Sequence, residues 1–343
     1  MVDELLRRFG LGSPLEIEVV TSGLLNQNLR AATAAGRFFL KGYRYTDPAL
    51  ILREHRLMAH VAAAGLPVAL PLAAPGGATF LRVGGRFWAV FPFIADRQLE
   101  PAAFTVAHAA ELGRILGAIH AALARYPAAE TAAFPPKLAW NSAQAADEMR
   151  AYERDIAKRP ALDPFDQHAL ASFAYRRTLL ASGVPPAAAF AHLPSQLLHG
   201  DFHERNVFFT AAGQVSAVID WELAGIGPRA WEIVRALDLA LQAPLDLEAG
   251  APRLRAFIHA YAAEAPLSEA ECAAMPELYW AARVHSLWVY EEHYRKGSAR
   301  TDAVAMADLA GLEWWSRHRQ ELARALLDAL RTAPSTRVAR ALA

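Results

Sequence analysis

Three polar residues interrupt apolar runs within a short stretch of the chain. Asp201 and Asn206 lie five positions apart in "HGDFHERNVFF", and Asp220 ends the apolar run "VSAVID". One carboxylate can accept the proton of an attacking hydroxyl, while an amide oxygen and a second carboxylate can hold Mg²⁺ against nucleotide phosphates. The spacing of aspartate and asparagine is that of a kinase catalytic loop. The three residues therefore predict a phosphoryl-transfer site.

The apolar runs predict how these side chains are positioned. "NVFFT" and "VSAVID" have the composition of strands, with a turn near Gly213 between them. We expect a hairpin that presents all three polar side chains at one end. A polar loop between strands is usually only a loop, but the triple at this spacing favours a catalytic role.

Two segments resemble a known family of enzymes. "HGDFHERNVFF" and "VIDWELAGIGPRAWEIV" are similar to the catalytic-loop motif and the metal-binding aspartate of the aminoglycoside phosphotransferase and choline kinase-like superfamily, which includes type II homoserine kinases. The resemblance covers most of the chain. It implies an α+β, protein kinase-like fold, with a small antiparallel-sheet lobe carrying one helix and a larger, mostly helical lobe. Glu204-Arg205 stands where common members have Pro-Gly, so the local contacts can differ.

The resemblance assigns roles to the residues of the catalytic loop. Asp201 would be the catalytic base, and Asn206 and Asp220 would bind Mg²⁺. His199 is expected to buttress the loop rather than act as a base. His203 could approach the substrate or fold back on the loop, and the sequence leaves both open.

The first 95 residues predict a nucleotide-binding lobe. Strands are expected in "LEIEVV", "NLRAAT" and "RFFLKGY", followed by a helix with Asp47 as its N-cap and Pro48 in its first turn. Two further strands, "TFLRVGG" and "RFWAVFPFI", meet at Gly84-Gly85 like a hairpin. We place the nucleotide-binding lobe at residues 1–95, and the helical lobe with the catalytic hairpin and acceptor site at residues 96–343.

A kinase needs a lysine on its third strand to reach the phosphates and a helical glutamate to hold that lysine. Lys41 ends the third predicted strand, and Glu54 lies on the helix that follows. Each residue alone would more often be a surface residue, but their order favours the functional pair. Glu16 or Glu18 could contact Lys41 instead, although their place on the first strand makes this the weaker alternative.

The same lobe should hold the rest of the nucleotide, which we expect to be ATP. The turn "TSGLLNQN" lacks the protein-kinase glycine pattern, but Ser22, Gly23 and Asn26 can offer donors to phosphate oxygens. A hinge is expected after the fifth strand. There the Phe91 carbonyl and the Ile94 amide would bind adenine, because Pro92 has no N–H group.

Composition limits the classes of partner and the compartment. The 343 residues carry a formal net charge of +0 with no basic tail, which disfavours nucleic acid or an anionic membrane as partner. A single cysteine permits no intramolecular disulfide. Neither a secretory signal nor an apolar run of membrane-spanning length is visible. We therefore expect a soluble cytoplasmic protein.

The segment after the metal-binding aspartate indicates the kind of acceptor. Only eleven residues separate Asp220 from Glu232, which resembles the acidic position that holds the catalytic loop from behind. A protein kinase has a long activation segment there, so we expect a small-molecule hydroxyl acceptor. The alternatives are a protein Ser/Thr kinase of the same superfamily and a catalytically silent nucleotide-binding regulator.

Acceptor contacts are expected from the helical lobe, at residues 276–296. Arg283 could bind a carboxylate, and Glu291 and Glu292 could bind an amine, although a solvated face explains these charges equally well. The mixed charge makes a polycationic aminoglycoside less favoured than an amino alcohol or a sugar. Homoserine enters by resemblance only. The sequence leaves the acceptor, the choice of ATP or GTP and the oligomeric state open.

Overall fold

The computed structural model describes residues 1–20, 26–242 and 247–334. Its first part is an antiparallel sheet of five strands in the order β1-β2-β3-β5-β4. The strands are β1 (Pro14–Val20), β2 (Gln27–Thr33), β3 (Gly36–Gly42), β4 (Leu81–Val83) and β5 (Arg86–Pro92). All five were expected from the alternation of apolar residues and the two glycine turns.

One helix, α2 (Pro48–Ala63), crosses from β3 toward β4. The Asp47 carboxylate accepts a hydrogen bond from the Ala49 amide at 2.9 Å, and Pro48 occupies the first turn, as the sequence indicates. Its buried face includes Glu54, Leu57 and Met58. The helix thus presents a carboxylate among apolar residues, directly behind the sheet.

A short N-terminal helix, α1 (Val2–Arg8), was not predicted. Leu5 and Leu6 are fully buried in an apolar cluster with Leu40 and Trp88 of the sheet. A seven-residue helix offers two turns of periodicity, which is too little for a pattern to stand out. Its packing partner lies far along the chain, so tertiary contact stabilises it.

The second part is mostly helical. Its helices are α3 (Val106–Leu123), α4 (Ala128–Thr131), α5 (Ser142–Ile156), α6 (Pro164–Ala181), α7 (Arg229–Leu239), α8 (Leu247–Glu264), α9 (Glu269–His285), α10 (Trp288–Tyr294) and α11 (Asp302–Arg331). α5 and α6 are separated by residues 157–163. The fold class is confirmed, and the lobe boundary at residue 95 stays a prediction.

Two small strand pairs interrupt the helices and carry the polar motif. β7 (Val207–Phe209) pairs with β8 (Val215–Val218), which is the expected hairpin. β6 (Ser195–Leu198) pairs with β9 (Gly225–Pro228), which was not expected because "GIGP" has no strand-forming pattern. The Val218 amide donates to the Pro67 carbonyl at 2.7 Å, and the Phe209 amide to the Arg97 carbonyl at 2.7 Å. These bonds tie the hairpin to the segments after α2 and β5.

A single large apolar cluster joins the two parts. It runs from α2 through α3 and the hairpin to α7, α8, α9 and α11, with Leu57, Leu116, Val218, Ile233 and Trp315 all buried. The catalytic motif is therefore built on packed elements rather than on a free loop. Within the described ranges, no helix has a stretch of the length and apolarity needed to cross a membrane.

Candidate active site

Lys41 lies where the sheet meets the hairpin. Its Nζ is 3.1 Å from Glu54 Oε1 on α2 and 3.0 Å from Asp220 Oδ1, which follows β8. A third carboxylate, Glu222, approaches to 3.4 Å. The lysine side chain is only 8% exposed. Three distant segments thus converge on one buried ammonium group.

The choice among partners for Lys41 is settled by the geometry. Glu18, on the edge strand, pairs with Arg30 at 3.3 Å, and Glu16 is exposed on the same strand. Glu54 faces Lys41 because α2 packs against the sheet with its glutamate side inward. The structure therefore brings Lys41 and Glu54 together.

The three carboxylates exceed the charge of the single ammonium. Burial disfavours the charged form of Lys41, but the nearby Asp220 and Glu54 outweigh it and raise the pKa of Lys41 well above its usual range. Burial, followed by repulsion from Glu222 and Asp220, raises the pKa of Glu54 to about 7 against the attraction of Lys41. Glu54 Oε2 is buried without a hydrogen-bond partner. This surplus of negative charge suits a hard divalent cation.

Asp220 and Asn206 offer the oxygen atoms for such a cation. The Ile219 amide donates to the Asn206 carbonyl at 2.9 Å, so the two residues are held side by side. The Asn206 amide nitrogen donates to the Asp201 carbonyl at 2.8 Å and to Asp201 Oδ2 at 3.0 Å. Because Nδ2 faces Asp201, the Asn206 side-chain oxygen is turned away from it and can act as a ligand. The donor set therefore fits Mg²⁺.

The backbone of Asp220 is strained. Its φ of 64° and ψ of 66° lie in the left-handed region, which non-glycine residues rarely adopt. Such strain persists only where surrounding contacts enforce it, and it concentrates at functional positions. The hairpin before it and the short 3₁₀ turn Trp221–Leu223 after it supply that enforcement.

Asp201 is held by positively charged and polar neighbours. Its Oδ1 accepts a hydrogen bond from Arg235 Nη2 at 2.6 Å, and its Oδ2 lies 3.3 Å from His203 Nε2. Burial raises the pKa of Asp201, but the His203 hydrogen bond and the Arg235 charge outweigh it and hold that pKa well below its usual range. His203 has folded back on the loop, which is one of the two expected alternatives.

The catalytic loop is fixed from behind by a buried carboxylate. Glu232 on α7 accepts hydrogen bonds from the amides of His199 (3.1 Å) and Gly200 and lies 2.9 Å from His120 Nε2 on α3. Gly200 has φ of +83°, and a Cβ there would meet the Leu223 carbonyl oxygen at 2.0 Å. Only glycine fits this position, because the backbone turns tightly between β6 and Asp201.

His199 links the two aspartates of the motif. Its Nε2 lies 3.0 Å from the Ile219 carbonyl, and its Nδ1 accepts a hydrogen bond from the Asp201 amide at 3.2 Å. Burial lowers the pKa of His199, so the ring is neutral at pH 7 with its proton on Nε2. This is the buttressing position that the sequence indicated.

The phosphate-binding turn is described only in part. Ser22 and Gly23 lie outside the described residues. Asn26 donates to Glu222 Oε2 at 2.6 Å and accepts from the Arg44 amide at 3.1 Å. Asn26 is therefore beside Lys41, joined to it through Glu222. Sequence reasoning did not single out Glu222, although its place two residues after Asp220 was the available signal.

The proposed adenine contact at Phe91 needs a correction. The Phe93 amide donates to the Arg37 carbonyl at 3.2 Å, and the register of β3 and β5 pairs Phe39 with Phe91. Hydrogen-bonded pairs alternate along an antiparallel ladder, so the Phe91 carbonyl faces Phe39 inside the sheet. The carbonyl that points away from β3 is that of Pro92. The register therefore argues against the Phe91 carbonyl as a ligand contact and leaves the Pro92 carbonyl, two positions before Ile94, as the candidate.

The residues proposed for acceptor binding are not brought together. Arg283 on α9 is held by Asp238 (3.2 Å) and Asp308 (3.0 Å). Glu291 and Glu292 on α10 both contact Lys296, at 3.2 and 2.7 Å. The charges of all three are thus paired within the helical part, and their described contacts do not include the Asp201 loop. Sequence reasoning instead missed Arg235, which contacts Asp201 directly.

The two-part fold and the convergence of Lys41, Glu54, Asp201 and Asp220 define a kinase-like phosphotransferase. Residues 16–272 match the profile of the phosphotransferase enzyme family, and the chain belongs to that family. It is a small-molecule kinase, as the resemblance of its catalytic loop implied.

Curated relatives and solved structures agree with this assignment. A homoserine kinase of Acidiphilium cryptum is 31% identical to this chain over 283 residues, and the match covers 82% of each chain. A homoserine kinase of Rhodopseudomonas palustris (strain ATCC BAA-98 / CGA009) is 30% identical over 280 residues, and the match covers 80% of this chain and 78% of the relative. Spectinomycin phosphotransferase, solved with ADP and spectinomycin, superposes with a TM-score of 0.64 at 13% identity, covering 95% and 97% of the two chains. An amicoumacin kinase, solved with AMP-PNP and Ca²⁺, superposes with a TM-score of 0.60 at 18% sequence identity. The superposition covers 91% of this chain and 89% of the amicoumacin kinase.

Proposed function

We propose that the protein transfers the γ-phosphate of ATP, in the presence of Mg²⁺, to a hydroxyl group of a small molecule. The observation that carries the proposal is the 3.0 Å contact of Lys41 with Asp220, which lies 179 residues away. An ammonium, a strained aspartate and an asparagine amide around one point form the recurring set for nucleotide phosphates. The homoserine kinase relatives support a metabolite acceptor over an antibiotic.

Each residue has a stated task in the transfer. Lys41, oriented by Glu54, would hold the phosphates, while Asp220 and the Asn206 oxygen would hold Mg²⁺, which neutralises charge on the transferred group. The Pro92 carbonyl and the Ile94 amide would bind the adenine edge. Asp201, fixed by Asn206, would orient the acceptor hydroxyl and take its proton. Catalysis would then rest on positioning and charge rather than on a covalent intermediate.

Two other functions receive less support. A protein kinase would need a docking platform after Asp220, where this chain has only a 3₁₀ turn and β9 before α7. A silent nucleotide-binding regulator would not need the contacts that hold Asp201. The cytoplasmic location stays a prediction from the sequence, and the oligomeric state stays open.

Phosphoryl transfer to a panel of acceptors tests the proposal. ADP release from Mg·ATP would be measured with amino alcohols, sugars, homoserine and aminoglycosides. Asp201→Ala should lower transfer by about 10³-fold, while binding of AMP-PNP, followed by calorimetry, stays close to that of the unchanged protein. Full activity of the Asp201→Ala protein would show that the assigned base is wrong.

A further inference from the structure

Two cations, Arg235 and Lys137, lie near the side of Asp201 that faces the helical part. Arg235 on α7 donates a hydrogen bond from Nη2 to Asp201 Oδ1. Its Nη1 is buried without a hydrogen-bond partner among the described residues. A guanidinium has five N–H donors, and leaving one buried and unpaired is costly. An acceptor oxygen supplied by a bound molecule would satisfy it.

Lys137 lies beside the same loop. Its Nζ donates to the Leu223 carbonyl at 2.9 Å, and a Cβ on Gly200 would come within 2.9 Å of that Nζ. The lysine stem packs along Gly225 and Gly227 of β9, where a side chain would displace it. The missing side chains at these glycines thus make room for the lysine.

Lys137 forms no direct ion pair with a carboxylate of the described residues. Among the residues described here, no Asp or Glu oxygen lies within 4.0 Å of Lys137 Nζ. Burial, and then repulsion by Arg235, lower the pKa of Lys137 against the attraction of Glu232 and Asp201. A half-buried cation without a direct ion pair is uncommon in a folded protein.

Trp231 connects the two cations. Lys137 Nζ lies 5.5 Å from the centre of its indole ring, and Arg235 Cζ lies 5.7 Å from it. The partly buried ring forms a flat wall between them. The three side chains therefore form one cluster beside the Asp201 loop.

The charges determine which anion fits. Arg235 is paired with Asp201, whereas Lys137 has no carboxylate oxygen within 4.0 Å among the described residues. Glu232 keeps its charge, but its oxygens contact His120 and two amides of the catalytic loop rather than either cation. A carboxylate can pair with the lysine, and its planar group matches the fork of an arginine.

We propose that Arg235 and Lys137 form a carboxylate subsite beside Asp201, so that the phosphorylated molecule carries a carboxylate as well as its hydroxyl group. The inference rests on the proposed phosphotransfer and gives its acceptor a chemical class. It moves carboxylate binding from Arg283, whose charge is shared with Asp238 and Asp308, to the two cations nearest the base.

Matched acceptor pairs test the inference on the full chain. L-homoserine would be compared with 2-amino-1,4-butanediol, and 4-hydroxybutyrate with 1,4-butanediol, with kanamycin as a polycation. We expect kcat/KM for the carboxylate member to exceed that of its neutral partner by about 10-fold or more. Equal or better turnover of the neutral members or of kanamycin would overturn the subsite and leave the proposed function standing.

If no acceptor of the panel is phosphorylated, the proposed function fails for this panel, and the subsite is tested by binding. Calorimetry with 4-hydroxybutyrate on protein loaded with Mg·AMP-PNP should show saturable binding, and 1,4-butanediol should bind more weakly. Absence of both turnover and carboxylate binding would overturn the inference.

Variants separate a binding role from a structural one. Lys137→Met should raise the KM or Kd for the carboxylate member about 10- to 100-fold, well beyond its effect on the neutral partner or on ATP. Arg235→Lys should weaken the same ligand while retaining part of its charge. The exposed Lys158→Met and Arg324→Gln are matched controls. A drop in thermal stability with equal losses for both members of a pair would mean that Lys137 is only structural.

Discussion

The two ends of the candidate active site differ in charge balance. At the nucleotide end, one lysine is surrounded by Glu54, Asp220 and Glu222. At the acceptor end, Asp201 faces Arg235, with Lys137 nearby. A surplus of carboxylates attracts a cation such as Mg²⁺, whereas an arginine and a lysine beside one aspartate can bind an anion. The difference is consistent with the two ligands of the proposed phosphoryl transfer being selected by different charges.

The largest effect at the nucleotide end is expected from removing the Asp220 carboxylate. Asp220→Ala removes a carboxylate that we assign to Mg²⁺, so the affinity for Mg·AMP-PNP should fall about 100-fold. Titration calorimetry at several Mg²⁺ concentrations measures this. Asp147→Ala, an exposed carboxylate on α5, is the control. An unchanged dependence on Mg²⁺ would contradict the ligand assignment.

A second change removes the cation around which that end is organised. Lys41→Met should lower kcat/KM for ATP about 30- to 100-fold, because a charge-assisted contact to phosphate is lost. The acceptor KM should change much less, which sharpens the contrast between the ends. Steady-state kinetics with Lys158→Met as control measure the split. An equal rise in the KM for ATP and in the KM for the acceptor would mean that the two ends do not bind their ligands independently.

A third change tests the backbone that joins both ends. Gly200→Ala places a Cβ against the Leu223 carbonyl, and the left-handed φ adds strain. We expect a loss of about 2–4 kcal/mol in the free energy of unfolding. Denaturant titration measures it. Gly76→Ala, where nothing lies within 4 Å of the added methyl, should stay near the unchanged protein. Similar effects for both variants would contradict the tight turn.

The smallest effect concerns the protonation of Glu54. Its pKa of about 7 in the folded protein lies above the ordinary value of 4.5, so the folded state binds the proton more tightly. Stability should therefore be lost as the pH rises from about 4.5 through 7. Glu54→Gln mimics the protonated form and should raise Tm by about 2–4 °C at pH 8, with little change at pH 4.5 and lower activity. A gain in Tm of equal size at both pH values would exclude Glu54 as the source of the pH dependence of stability.

Local pattern accounts for most of what the sequence could predict. The N-cap at Asp47, the paired strands and the spacing of Asp201 and Asn206 are features of neighbouring residues. Lys41 and Glu54 could be paired because their order along the chain follows from one strand and one helix. The Lys41–Glu54 pair could therefore be predicted from the sequence, whereas Glu222 and the register at Phe91 could not.

The residues around Asp201 could not be predicted from local sequence patterns. Arg235 and Lys137 are about 100 residues apart and meet only because β6, β9 and α7 pack together. Neither carries a local signal, since an arginine on a helix and a lysine after two prolines are ordinary surface features. Arg283 was chosen from an aromatic-rich helix, where long-range pairing with Asp238 and Asp308 decides its role.

His199 bonds to the amide of one aspartate and to the carbonyl just before the other. The proposed proton acceptor and the proposed metal ligand are therefore tied to each other through one imidazole ring. Any change in the distance from Lys41 to these two aspartates would leave their mutual geometry intact.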